Sequence, residues 1–284
     1  MVSAHVLGNA QDAGLPQAGC GCPNCRAAWA DPARRRHAAC LGLLDEAAGA
    51  FFLVDATPDF REQLHALQRL APGARLGGVL LTHAHMGHYT GLLHLGFEAM
   101  AAREVPLFAT RRMLDYLAAN APWRQLLEQG NVAPRELIPD ADLALTPALS
   151  ARPLLAPHRA EWSDTVGFIV RGPRRQLLYL PDIDGWEAWA APPYGRDVRA
   201  VVDGVDAALL DGSFYSAGEL PGREVRDIGH PLVTDTAARL RGTRAAVHFT
   251  HLNHTNPLHQ PGPERDWLAA QGLGAAEEGM NYEL

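Results

Sequence analysis

The stretch Leu80-Leu81-Thr82-His83-Ala84-His85-Met86-Gly87-His88 places three histidines directly behind an apolar segment. Neutral imidazole is the commonest protein ligand for zinc and also binds iron, nickel and copper. Side chains two residues apart project to the same side of an extended strand, so His83 and His85 face one point. His88 can return to that point after a tight turn at Gly87. Solvated loop histidines are the alternative, but the buried strand in front of the cluster disfavours them, and the stretch predicts a metal site at a strand end.

The composition is that of a soluble globular protein. The 284 residues are 47% hydrophobic and 20% charged, which is enough to bury a sizeable core. The formal net charge is −7 and the basic runs are short, which disfavours nucleic acid as a partner. The N-terminus lacks a basic and apolar leader, and no run of about 18 apolar residues occurs. We therefore expect a cytoplasmic protein that acts on a small molecule without a membrane partner, with a homodimer as one open alternative.

Three of the four cysteines lie in Cys20-Gly21-Cys22-Pro23-Asn24-Cys25. This spacing is too cramped for a disulfide framework but suits three thiolates around one ion. In a reducing compartment such a knuckle usually holds structural zinc, and a tetrahedral site then needs one more ligand. That ligand could be Cys40 or a histidine that the fold brings in. Free buried or redox-active cysteines are the alternative.

Apolar segments with the character of strands alternate with segments of helical periodicity along the whole chain. Residues 51–54 predict a strand and residues 59–70 a helix, and a helix is expected again over 90–102 behind the histidines. Residues 186–194 are rich in aromatic residues and prolines and predict a lid or a surface helix. The alternation predicts mixed α/β layers. We expect one domain over residues 1–284, with the knuckle at 20–25.

Further candidate ligands also follow predicted strands. His158, Asp182 and His251 each come directly after an apolar segment, and in α/β proteins such strand ends assemble functional sites. Asp55 and Asp211 also end strands but stand outside any ligand motif, which favours a role in orienting imidazoles. Asp184, two residues after Asp182, could exchange roles with Asp182.

At this point the chain resembles a known family. Thr82-His83-x-His85-x-x-His88 with the later His158, Asp182 and His251 is similar to the metallo-β-lactamase fold superfamily, an αβ/βα sandwich with metals between the tips of two sheets. Other segments resemble the coenzyme PQQ biosynthesis protein B family within it, and they run from the first strand to the last residue. These segments are Val6-Leu7-Gly8 through Gly14-Leu15-Pro16-Gln17, the knuckle, Thr57-Pro58-Asp59-Phe60, Leu210-Asp211-Gly212-Ser213, Gly229-His230, His254-Thr255-Asn256-Pro257 and Gly279-Met280-Asn281-Tyr282-Glu283-Leu284.

The chain departs from these patterns in two ways. The superfamily usually has aspartate just before the third histidine, where this chain has Gly87. Many PQQ-type members have lost the first two histidines and the later aspartate, whereas this chain keeps them. Its cluster is closer to that of hydrolytic relatives, among them the cyclic phosphodiesterase of phosphonate breakdown, which also has a cysteine knuckle. That resemblance implies a structural zinc set of Cys20, Cys22, Cys25 and His254.

The resemblance implies metal-assisted hydrolysis. His83, His85 and His158 would hold one ion, and His88, His251 and a bridging Asp182 the second. A hydroxide on the ion would attack an ester or phosphodiester of a small molecule. Because Gly87 carries no carboxylate, the second ion is expected to be weakly held, and no general base is expected near the cluster. His230 is the candidate proton donor to the leaving group, with a structural histidine as the alternative.

Two other functions remain open at the level of sequence. An iron-dependent oxidoreductase or hydroxylase in PQQ-type cofactor biosynthesis would use the same ligands, because iron also binds imidazole and carboxylate. A non-catalytic carrier stabilised by metal is the other alternative. The expected cofactors are one structural Zn²⁺ and one or two divalent ions in the active site, with zinc, iron and manganese all open.

Overall fold

Two seven-stranded sheets form the frame of the protein in a computed structural model that describes residues 1–219 and 229–284. The strands of the first sheet are β1 (Val2–Gly8), β2 (Cys40–Asp45), β3 (Ala50–Val54), β4 (Arg75–Leu80), β5 (Val105–Ala109), β6 (Val132–Glu136) and β14 (Asn281–Glu283). Those of the second sheet are β7 (Leu143–Ala144), β8 (Ser150–Ala156), β9 (Thr165–Arg171), β10 (Gln176–Leu180), β11 (Ala207–Asp211), β12 (Ala246–Thr250) and β13 (Gly274–Ala275).

Both sheets are mixed and follow the same scheme. The first runs in the order β14-β1-β2-β3-β4-β5-β6 and the second in the order β13-β12-β11-β10-β9-β8-β7. In each sheet one half is antiparallel and the other half parallel. The inner strands β4, β10 and β11 lie in the parallel parts, so their carboxyl ends lie at one edge of each sheet.

Helices cover the outer face of each sheet. They are α1 (Pro23–Ala30), α2 (Phe60–Leu70), α3 (Met86–Tyr89), α4 (Arg111–Ala119), α5 (Ala121–Glu128), α6 (Trp186–Ala190), α7 (Val198–Asp203), α8 (Val233–Arg239) and α9 (Pro263–Ala270). Apolar side chains of α2, α4 and α5 pack on the first sheet, and those of α6 to α9 pack on the second. A third core fills the space between the sheets, with Phe52 from one and Phe168 from the other. The predicted four-layer αβ/βα sandwich is confirmed.

One local prediction needs correction, and of the two alternatives left open for residues 186–194 the surface helix is confirmed as α6 (Trp186–Ala190). Residues 90–102 do not form an α-helix: a 3₁₀ helix covers Thr90–Leu95 and turns follow. A Cβ at residue 91 would lie 2.1 Å from the Thr57 carbonyl oxygen, so Gly91 allows a close approach of two backbones instead of supporting a long helix. Residues 186–194 form no lid, because Trp189 is fully buried and its indole nitrogen donates to the Leu155 carbonyl at 2.8 Å. Among the described residues, no helix is long and apolar enough to cross a membrane.

Candidate metal centre

The candidate ligands meet in a cleft of about 610 Å³ at the edge where the two sheets come together. The loop after β4 carries His83, His85 and His88, while the second sheet contributes His158 after β8, Asp182 after β10 and His251 after β12. A backbone hydrogen bond from Val166 to the Thr82 carbonyl, 3.0 Å long, joins the two sheets beside the cleft. The fold therefore brings together side chains that are up to 168 positions apart in the sequence, from 83 to 251.

His83, His85 and His158 form the first group of ligands. One ligand atom from each lies within 4.8 Å of the others, and His158 Nε2 is 3.3 Å from His85 Nδ1. Two imidazole nitrogens bound to one tetrahedral zinc at about 2.05 Å would be about 3.3 Å apart. The spacing of these nitrogens therefore fits one divalent ion.

A second group lies beside the first and contains His88, His251, Asp182 and Asp12. The Nε2 atoms of His88 and His251 are 3.3 Å apart. Asp12 Oδ1 lies 3.0 Å from His88 Nε2 and 3.2 Å from His251 Nε2. The expectation that this group lacks a further carboxylate is therefore wrong, because Asp12 supplies one from the loop after β1.

Asp182 lies between the two groups, in the bridging position expected from the sequence. Its Oδ2 is 3.1 Å from His88 Nε2 and 3.2 Å from His251 Nε2, and its Oδ1 is 3.4 Å from His158 Nε2. Asp182 Oδ2 and His83 Nε2 are both buried and have no hydrogen-bond partner among the described residues. Buried polar atoms without partners are costly, so their orientation toward a shared point favours a cation there.

The outward-facing nitrogens of four imidazoles have partners that fix the orientation of each ring. His88 Nδ1 lies 2.7 Å from Asp55 Oδ2, and His158 Nδ1 lies 3.0 Å from Asp184 Oδ1. The other two rings contact hydroxyls: His83 Nδ1 is 2.9 Å from Thr82 Oγ1, and His251 Nδ1 is 3.0 Å from Ser213 Oγ. Such outer partners hold the ligating nitrogen toward the metal. Asp55 thus orients an imidazole, as the sequence predicts, and Asp184 does so from outside the centre.

The electric field at His88 in the second group favours positive charge. Burial alone would lower the pKa of His88, but Asp55, Asp12 and Asp182 outweigh burial and raise it well above its usual value. Burial also opposes ionisation of Asp182, yet the surrounding histidines, His251 and His158 foremost, hold its pKa well below its usual range. Burial lowers the pKa of His83 well below its usual value, which keeps that imidazole neutral and able to bind a metal.

His230 lies beside the ligands and lines the cleft. Its Nδ1 is 2.7 Å from Asp211 Oδ2 and 3.1 Å from Ser213 Oγ. Burial would lower the pKa of His230, but Asp211 outweighs burial and raises it to about 9. Asp211 therefore orients and charges this imidazole, which agrees with the role predicted for a strand-end carboxylate. A ligand atom of His230 also lies within 4.8 Å of ligand atoms of His158 and Asp182.

Two residues of the centre have an unusual backbone conformation. Asp55 has φ 73° and His251 has φ 58°, in the left-handed region that non-glycine residues rarely adopt. Each comes at the end of a strand, where this turn directs His251 into the cleft and Asp55 onto the outward-facing nitrogen of His88. Such strain costs on the order of 1 kcal/mol or more per residue and is concentrated at functional sites.

The cysteine knuckle forms a separate group with His254. The Sγ atoms of Cys20, Cys22 and Cys25 lie 3.4, 3.5 and 3.7 Å from His254 Nδ1. A tetrahedral zinc with typical Zn–S and Zn–N bonds would place sulfur and nitrogen about 3.6 Å apart. Cys40, the other candidate for the fourth ligand, is buried in β2 with its thiol toward the Asp55 carbonyl. The geometry therefore fits zinc held by the three cysteines and His254.

Sequence reasoning missed two residues of the site, Asp12 and Ser213. Asp12 follows β1, so the strand-end criterion that identified Asp55 and Asp182 could have included it. Ser213 lies between His251 and His230 and contacts both rings. It stands in the segment Leu210-Asp211-Gly212-Ser213, whose resemblance to the coenzyme PQQ biosynthesis protein B family is the sequence signal for it.

Comparisons with known proteins agree with the geometry. The sequence profile of the beta-lactamase superfamily domain matches residues 51–259. Coenzyme PQQ synthesis protein B of Methylobacterium sp. (strain 4-46) is 30% identical over the full length of both chains. The counterpart from Methylobacterium nodulans is 31% identical, again over the full length of both.

Solved structures show the same fold. Zn²⁺-bound PqqB from Methylobacterium extorquens superposes with a TM-score of 0.83 at 23% identity, covering 99% of this chain and 100% of that one. A diphosphatase of the PhnP family superposes with a TM-score of 0.71 at 22% identity, covering 100% of this chain and 97% of that one. At these identities the likeness concerns the fold alone.

Proposed function

The chain belongs to the beta-lactamase superfamily and, within it, to the coenzyme PQQ synthesis protein B family, and from this premise we propose that it is a metal-dependent hydrolase. The proposed substrate is a small molecule with an ester or phosphodiester bond. A cleft of about 610 Å³ has the volume of a typical small-molecule site. The names of the relatives support a place in the synthesis of a PQQ-type cofactor.

One observation carries the proposal: the carboxylate of Asp182 is shared between two complete groups of metal ligands. Its two oxygens face different groups, Oδ1 toward His158 and Oδ2 toward His88 and His251. A structural ion needs only one closed set of ligands, whereas adjacent ions that open into a cleft are typical of hydrolytic centres. The knuckle already meets the need for a structural ion, which leaves the paired groups for chemistry.

Divalent ions in these groups would lower the pKa of a coordinated water to about 7 and polarise the oxygen under attack. The protein itself contributes three functions around them. Asp55, Asp184 and Ser213 hold the imidazoles in place. The walls of the cleft confine a small substrate, with Arg159 at its rim where an anionic group would bind. His230 supplies a proton donor.

His230 has the properties of a general acid. Asp211 accepts from Nδ1 at 2.7 Å and raises the pKa of His230, which favours the protonated ring that proton donation requires. Its place beside His158 and Asp182 puts it within reach of a leaving group in the cleft. Protonation of the leaving oxygen by such a residue contributes roughly 10²- to 10⁴-fold to a rate.

The metal content of protein purified without added metal tests the function. We expect about three zinc or other divalent ions per chain, one in the knuckle and two in the centre, together with hydrolysis of a phosphodiester or lactone in a substrate screen. One zinc with iron in the centre would favour oxidation in cofactor synthesis instead, because iron binds the same donors. Zinc in the knuckle alone would favour a carrier. A screen that stays blank with zinc, manganese and iron would reject the hydrolase.

Replacing His230 by glutamine tests the proton donor. For a substrate with a poor leaving group, such as an alkyl phosphodiester, we expect kcat to fall by about 100-fold with little change in KM. For a p-nitrophenyl substrate the loss should be much smaller, because that leaving group departs without protonation. Metal content serves as the control and should match the native protein. An equal loss on both substrates would contradict proton donation by His230.

A further inference from the structure

Asp12 lies in the second group although its sequence position is far from the other ligands. Its Oδ1 contacts the Nε2 atoms of His88 and His251 at 3.0 and 3.2 Å. Asp182 Oδ2 contacts the same two nitrogens at 3.1 and 3.2 Å. The two imidazoles and two carboxylates therefore surround one point, and each oxygen lies close to both nitrogens.

The backbone holds the Asp12 loop in this place. Gln11 donates to the Leu252 carbonyl at 2.9 Å, and Leu252 donates back to the Asn9 carbonyl at 2.8 Å. On the other side of Asp12, Gly14 donates to the Gln11 carbonyl at 2.7 Å. Leu252, which follows His251, is thus hydrogen-bonded to Gln11, which precedes Asp12. Main-chain hydrogen bonds therefore fix the backbone of the Asp12 loop relative to His251.

Gly87 is the reason that the loop can come this close. A Cβ at residue 87 would lie 2.3 Å from Asp12 Cα, 2.5 Å from its Cβ and 2.7 Å from its Cγ. Those separations are far below van der Waals contact, and the nearest atom belongs to the backbone. Any side chain at residue 87, including the aspartate that the superfamily pattern has there, would displace Asp12. A carboxylate from residue 87 and one from residue 12 therefore exclude each other.

We propose that Asp12 is a metal ligand of the second group, and that glycine at residue 87 is the matching change that makes room for it. The carboxylate enters the centre from the loop after β1 instead of from the histidine cluster. This inference rests on the proposed metal centre, but it does not depend on the reaction.

The two groups of ligands differ in charge. The second group has two imidazoles, the carboxylate of Asp12 and the shared carboxylate of Asp182, so its ligands carry more negative charge than those of the first group. The first group has three imidazoles and only a share of Asp182. The second ion should therefore be firmly held, contrary to the expectation that Gly87 weakens its site.

The test compares Asp12→Ala and Asp12→Asn with the native protein after dialysis against graded chelator. Zinc and manganese are counted by elemental analysis, and their affinities are measured by calorimetric titration without substrate. We expect two ions in the native centre and one in each variant, with the second ion bound at least about 10-fold more weakly. Asp115→Ala, which removes an exposed carboxylate from α4, is the charge-matched control and should keep both ions. Two ions of unchanged affinity in both Asp12 variants, or one ion in the native centre, would overturn the inference.

Gly87→Ala tests the second half of the proposal. It should weaken the second ion by a similar factor, because the added methyl displaces the Asp12 backbone. In the Asp12→Ala background the same change should add little, since the ligand is already gone. Additive losses in this cycle would overturn the role assigned to Gly87.

Circular dichroism reports folding in each variant. A blank substrate screen with two metal ions bound in the native centre would reject the hydrolase but not the role of Asp12. An unchanged number of bound metal ions in the Asp12 variants would reject the role of Asp12 but not the hydrolase.

Discussion

Asp182→Asn should remove at least one ion from the centre and lower the rate of hydrolysis by more than about 100-fold. Loss of a residue that only hydrogen-bonds to a metal ligand costs up to about 100-fold, and loss of a ligand should cost more. The carboxylate is buried and lies within 3.8 Å of His83, His88, His158 and His251. An asparagine has nearly the same shape but brings no charge between these imidazoles, and its amide nitrogen cannot accept a metal bond. Elemental analysis and kcat/KM on the substrate found in the screen measure the two effects.

Asp184→Asn is the matched control for this change. Asp184 is two residues away and contacts only the outer nitrogen of His158 among the five ligand imidazoles, at 3.0 Å. We therefore expect about a 10-fold loss of activity and unchanged metal content. A larger effect from Asp184→Asn than from Asp182→Asn would show that the two carboxylates have exchanged roles, which was the alternative raised by the sequence.

Cys22→Ser should release one zinc per chain and lower the melting temperature by about 10 °C. Structural zinc contributes on the order of 10 kcal/mol to folding in small domains. The cores of this protein do not depend on the knuckle, so we expect a smaller loss of about 4 kcal/mol. Cys22 also caps α1 by accepting from Cys25 N, and serine can keep that cap. The loss therefore reports on zinc and not on the end of the helix.

Cys40→Ala provides the comparison for the knuckle. Cys40 is buried in β2 and lies outside the group of Cys20, Cys22, Cys25 and His254. Its replacement should cost about 1 kcal/mol for a small cavity and leave zinc content unchanged. Calorimetry and zinc analysis of both variants check the assignment. A Cys22→Ser protein that melts normally and keeps its zinc would contradict it.

The sequence predicts most of the centre because ligands at strand ends leave a local pattern. His83, His85 and His88 are separated by fixed short spacings, and Asp182 and His251 follow apolar strands whose neighbours in the sheet can be anticipated. The layered fold could also be predicted from a local pattern, because segments typical of strands and of helices alternate along the chain.

Asp12 follows β1 and so meets the strand-end criterion, but the sequence does not show which ligands it joins. No spacing relates it to His88 or His251, and its position depends on hydrogen bonds to Leu252 that only the folded chain makes. From the sequence alone Gly87 indicates a missing ligand, because its role depends on a backbone that lies 75 positions away, from 12 to 87. The helix expected over 90–102 was wrong for a similar reason, because Gly91 serves a contact with Thr57 and not the local helical pattern.

The two peptide segments that form the knuckle also carry two of the four ligands of the second group. The segment after β1 carries Asp12 and continues into the cysteines, while the segment after β12 carries His251 and then His254. Zinc in the knuckle would thus set the separation of the two segments that carry Asp12 and His251, half of the ligands proposed for the second ion. Reciprocity of binding then requires each ion to tighten the other. Loss of zinc from the knuckle should therefore weaken binding of the second ion, and should leave the first group unaffected because its three histidines lie on other parts of the chain.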